Sequence, residues 1–97
     1  MPIKVLLLVE DNQGDARLLR EMLNAPSVNG TEVSHVTTMG DAELHLGTHA
    51  VDIIVLDLGL PDARGLEAIR RAHAAAPRVP LIGRNILKPP GFHQRAN

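Results

Sequence analysis

The chain has 97 residues, which fits one domain with a modest core. Its apolar fraction of 44% is ordinary, but Phe92 is its sole aromatic residue, so Leu, Ile, Val, Ala and Met must fill the core and stability should be modest. Ten basic and eleven acidic residues give a net charge of −1 without a basic stripe, which argues against a nucleic-acid partner, and the lack of cysteine excludes disulfides, thiolate metal sites and a Cys nucleophile.

Ile3 to Val9 is an apolar run and is predicted as the first strand. It is too short to span a membrane and lacks the flanks of a signal peptide, so a cytoplasmic location is expected. Glu10 to Gly14 carries the turn formers Asn12 and Gly14. Asp15 to Asn24 is predicted as a helix whose stripe is Leu18, Leu19, Met22 and Leu23, with Met22 as core filling and Asp15 as a dipole-stabilising or capping residue. A loop over 25–30 follows, then a half-exposed edge strand over Thr31 to Thr37.

Thr38 is placed to cap a helix from Met39 to about Gly47, with Asp41 three residues on. Asp52 to Leu56 forms a second buried run and is predicted as the third strand. Gly59 to Gly65 is a long turn in which Asp62 is a turn residue. Leu66 to Ala76 is an Ala-rich helix closed by Pro77, with Arg64, Arg70 and Arg71 on the solvated side. Val79 to Ile82 is a short fourth strand. The domain is thus read as residues 1–82, with 83–97 an atypical tail in which only 85–87 could form a strand.

Strands alternating with helices predict an open parallel α/β sheet with right-handed crossovers. The carboxyl ends of parallel strands share one edge, where ligands bind. Glu10 and Asp11 follow one apolar run and Asp57 ends another, so three carboxylates converge there. Crowded carboxylates repel unless a cation is present. A hard divalent cation with oxygen ligands, Mg²⁺ above all, answers that need. His45 and His49 have zinc-compatible spacing but no third ligand, and read as a surface pair.

The segment Leu7-Leu8-Val9-Glu10-Asp11-Asn12-x-Gly14-Asp15-x-Arg17-Leu18 resembles the opening of bacterial two-component response-regulator receiver domains. Leu56-Asp57-Leu58-Gly59-Leu60-Pro61-Asp62-x-x-Gly65-Leu66-Glu67 is similar to their phosphorylation-site strand and turn. The resemblance implies a flavodoxin-like sheet, with helices on both faces and strand order 2-1-3-4-5. It implies that Asp57 is the phosphoacceptor, and that Glu10, Asp11, Asp57 and the Gly59 carbonyl hold Mg²⁺. The phosphoryl donor would be a sensor histidine kinase, a phosphotransfer protein or a small acyl phosphate. The chain would then be a phosphoacceptor signalling domain rather than an enzyme.

The C-terminal third departs from the family. Receivers place Ser or Thr near position 85, where this chain has Asn85, and no Ser or Thr follows Thr48. The family's Lys-Pro has its counterpart in Lys88-Pro89, only a few residues past the fourth strand. The expectation is a receiver truncated after the fourth strand. Loss of the fifth strand and helix would expose the edge of strand four and uncover one face of strands one and three, inviting self-association. The competing reading is a receiver-like interaction or dimerisation module that works without phosphorylation. A haloacid-dehalogenase-like phosphatase is rejected because position 59 is Gly rather than Asp. A nucleotide-binding sheet is rejected because no Gly-rich phosphate loop follows the first strand.

Overall fold

The computed structural model describes residues 4–23 and 31–84. Among these residues the order is β1 (Val5–Val9), α1 (Gln13–Leu23), β2 (Glu32–Val36), α2 (Met39–Thr48), β3 (Ile53–Asp57), α3 (Gly65–Ala75) and β4 (Leu81–Arg84). The sheet runs β2-β1-β3-β4, and each neighbouring pair is parallel. This is the flavodoxin-like order that the receiver resemblance implies, in the parallel sheet expected from the alternation of elements. Gly83 and Arg84, assigned to the tail, continue β4, whereas Asn85, Lys88 and the rest of 85–97 lie outside the described residues.

Each strand sends alternate side chains to opposite faces. On one face Leu7, Val9, Ile54 and Leu56 meet Met39 and Ala42 of α2 and Ala68 and Ala72 of α3. The small alanines let both helices approach the sheet closely. On the other face Leu6 and Leu8 pack with Ala16, Leu19, Val33, Ile53 and Val55. Thus α2 and α3 share one face and α1 covers the other. Leu60 and Ala63, in the turn after β3, are also buried and close the core under the strand ends.

Two expectations about packing are corrected. Met22 is 61% exposed and Leu18 is 53% exposed, so neither fills the core. The packed stripe of α1 is Ala16 and Leu19, and Leu18 and Met22 sit on its more exposed flank. The β1 face is not uncovered: Leu6 and Leu8 are buried against α1. Exposed apolar side chains stand instead on the helices, at Leu44 of α2 and Leu66 of α3, and on β4 at Ile82, which is 52% exposed.

Turn chemistry sets the element ends. Thr38 Oγ1 accepts the Asp41 N–H at 3.1 Å, the expected cap of α2. Asp62 shares that task, which makes it more than a turn residue. Its carboxylate accepts from Met39 N at 2.8 Å and Gly40 N at 3.0 Å. Arg71 is not on the solvated side as expected. It is half-buried and makes a two-pronged pair with Glu43, at 2.9 and 2.7 Å, that ties α3 to α2. At the opposite end of the sheet Asp52 accepts from the N–H groups of Lys4 and Val5, pinning the start of β1 to β3.

Candidate functional site at the carboxyl edge of the sheet

Strands β1 and β3 are direct neighbours in register, Val9 facing Leu56. The residues just beyond Val9 therefore lie beside Asp57. Glu10 and Asp57 are almost fully buried and Asp11 is half-buried. Glu10, Asp11 and Asp57 each present a carboxylate oxygen, and these oxygens lie within 4.8 Å of one another. Among the described residues this is the one grouping of His, Cys, Asp or Glu that could hold a metal ion. The convergence expected from the two apolar runs is met.

The Asp57 and Glu10 carboxylates are held by their local turns. The Gly59 N–H donates to Asp57 Oδ1 at 3.0 Å. Gly59 itself is fixed by an antiparallel bridge to Arg64, and the Gly65 N–H donates to the Leu58 carbonyl at 2.8 Å. Gly65 has φ +55°, a left-handed conformation that a side chain would strain. Glu10 Oε2 accepts the Asn12 N–H at 3.1 Å. The Glu10 N–H donates to the Val36 carbonyl, and the Glu10 carbonyl meets His35 Nε2 at 2.8 Å. Asn12 Oδ1 accepts the Asp15 N–H at 2.9 Å and so caps α1. Asp15 stands in the first turn of that helix, consistent with its assignment as a dipole-stabilising residue.

Burial, then the adjoining Asp57, push the Glu10 carboxyl up to about 7, against the opposing pull of Asn12 and Arg84. Crowded, buried carboxylates behave this way when no divalent charge is bound. The donor set is oxygen only, which suits a hard cation.

Arg84 was not singled out from the sequence. It is the last residue of β4, and its Nη1 makes a close ion pair with Glu10 Oε1. Its Nη2 lies 4.0 Å from Asp15 Oδ2. No local pattern could have found it, because the contact crosses the sheet from β4 to the end of β1. His45 and His49 stack at 4.3 Å, away from the carboxylates.

Residues 6–84 match the model of the response regulator receiver domain. The chain belongs to that family. The receiver is 39% identical over 82 residues to the KDP operon transcriptional regulatory protein KdpE of Escherichia coli K12, covering 82% of this chain and 35% of that protein. The receiver thus spans about a third of the length of this curated relative. Among solved structures, the phosphorylated cyanobacterial phytochrome response regulator RcpA is 31% identical with a TM-score of 0.72. That match covers 84% of the receiver and 64% of RcpA. A CheY-like receiver domain protein from Methanospirillum hungatei JF-1 is 25% identical with a TM-score of 0.72, covering 84% of this chain and 62% of that one. Among the described residues no helix is long and apolar enough to cross a membrane.

Proposed function

We propose that this receiver accepts a phosphoryl group on Asp57 in a two-component phosphorelay, with Mg²⁺ held by Glu10, Asp11, Asp57 and the Gly59 carbonyl. The observation that carries the reading is the meeting of the three strand-end carboxylates within 4.8 Å, at the positions where the chain matches the receiver motif. RcpA, a relative of similar fold, is phosphorylated, which supports transfer to this chain as well.

In the transfer, an Asp57 carboxylate oxygen forms a bond to phosphorus. The P–N bond of a phosphohistidine breaks, and its electron pair returns to the imidazole of the donor. With acetyl phosphate the P–O bond to the acyl group breaks and acetate leaves. Gly59 holds the attacking carboxylate through Oδ1, so little reorganisation is needed. Bound Mg²⁺ would neutralise charge on the carboxylates and on the transferring group. Lys88 is the candidate for a further cation at the phosphoryl group.

On this reading the chain is the acceptor in the transfer, not an enzyme with turnover. Its donors are a sensor histidine kinase or a phosphotransfer protein, it works in the cytoplasm, and it self-associates through β4 and the sheet face beside it. The alternative, an interaction module independent of phosphorylation, is favoured by Asn85 standing where receivers have a hydroxyl.

Incubation with Mg²⁺ and acetyl phosphate, followed by intact-mass spectrometry, tests the proposal. Wild type should gain one phosphoryl group, lost with EDTA and lost in Asp57→Asn. No gain in wild type would remove the phosphoacceptor reading in favour of the interaction module.

A further inference from the structure

Arg84 and Asp57 are partners in register. Paired residues of parallel strands point to the same face, here the one that carries α1. But β4 does not adjoin β1, since β3 lies between them. With strands roughly 4.8 Å apart, Arg84 must reach about 10 Å over the end of β3 to touch Glu10. Its side chain crosses the strand end that bears Asp57, and it is 14% exposed while that of Glu10 is 1% exposed. The guanidinium is therefore held inside the acidic edge rather than in solvent.

A guanidinium on Glu10 Oε1 already supplies positive charge to the oxygens that a divalent cation would use. Two cations on one carboxylate repel at short range, and the low dielectric of a buried site strengthens that repulsion. The second contact of Arg84 offers a way out. Asp15 is more exposed than Glu10, with its side chain 27% exposed, and already lies 4.0 Å from Nη2. A small movement of the guanidinium would exchange one carboxylate for the other.

We propose that Arg84 is a tethered competitor of the divalent cation: its guanidinium occupies Glu10 when metal is absent and shifts to Asp15 when metal binds. Metal loading then repositions the Arg84 side chain, which brings metal occupancy under the control of a residue on β4. This inference rests on the metal reading above and adds a residue outside the three carboxylates.

Calorimetric titration of Mg²⁺, repeated with Mn²⁺, tests it on wild type, Arg84→Met, Arg84→Gln, Asp15→Asn and the Arg84→Met/Asp15→Asn pair. Methionine keeps much of the stem and removes the charge, and glutamine gives a second neutral variant should methionine fail to fold. Both neutral variants should bind the metal about tenfold more tightly than wild type, because a repelling charge is gone. Asp15→Asn should weaken binding several-fold in wild type, yet do nothing in the Arg84→Met background. A purely structural Arg84 would not produce that non-additive pattern. Equal or weaker binding by the neutral variants overturns the proposal and leaves the metal reading intact. If neither wild type nor the neutral variants bind metal, both readings fall.

Discussion

Glu10 is the residue on which pH acts most directly. Its carboxyl moves from 4.5 in the unfolded chain to about 7 in the fold, through burial first and Asp57 next. Between those values the folded, metal-free protein binds more protons than the unfolded chain, so stability falls as pH rises. The stabilisation is fully present below 4.5 and is lost as pH passes 7. The loss should be on the order of 1–3 kcal/mol. Thermal unfolding in EDTA should show a lower midpoint at about pH 8 than at about pH 5. Glu10→Gln should flatten the difference, and Mg²⁺ should restore stability at the higher pH. A midpoint that is flat or rises in EDTA would contradict this account. Glu43 is held low by Arg71, and Asp62, despite some burial, by the Met39 and Gly40 N–H groups, so they titrate below this window. Glu10, Asp11 and Asp57 were legible in the sequence because apolar strand runs lead into them. Arg84 was not, because its partner is 74 positions away and the contact depends on strand order.

At the scale of elements, α2 is fastened by two side chains from different parts of the chain, Thr38 through Oγ1 and Asp62 through both carboxylate oxygens. Removal of an N-cap costs about 1 kcal/mol, so Thr38→Ala and Asp62→Ala should each lower stability by roughly that amount in urea unfolding. The two should not add fully, since they serve the same helix end. Losses under a few tenths of a kcal/mol would mean that water replaces the caps without penalty. Gly65→Ala should cost about 1 kcal/mol or more, because φ +55° strains a side chain. The Thr38 cap was visible as a local pattern, three residues before Asp41. The Asp62 cap was not, because a carboxylate in a turn looks the same whether it binds its own loop or a helix 22 residues away. Leu60 was likewise hidden: it stands among turn formers, yet it is fully buried. The order of strands and helices followed directly from apolar runs alternating with helical stripes. Their ends shifted by one or two positions, notably β4, which continues to Arg84.

At the scale of the molecule, a parallel sheet was readable from the α/β alternation and its strand order from the receiver motifs, but surface coverage was not. Periodicity marked Leu18 and Met22 as inward, although a helix flank becomes core only if something packs on it. Both are exposed, as is Ile82 on the outer strand of the described sheet. A strand edge beside exposed apolar side chains is a template for association. Size-exclusion chromatography with light scattering should therefore show dimers or larger species, and Ile82→Lys should shift the population toward monomer. A clean monomer at high concentration would remove that element of the proposal.

On the proposed reading, Asp57 itself carries the phosphoryl group. An aspartyl phosphate is reduced by borohydride to the alcohol, whereas a free carboxylate is not. The receiver should be treated with Mg²⁺ and acetyl phosphate, reduced with borohydride, and its peptides sequenced by mass spectrometry. Homoserine should stand in place of aspartate at position 57, with the residues at positions 10 and 11 unchanged. Aspartate still intact at position 57, or homoserine at another position alone, would contradict it.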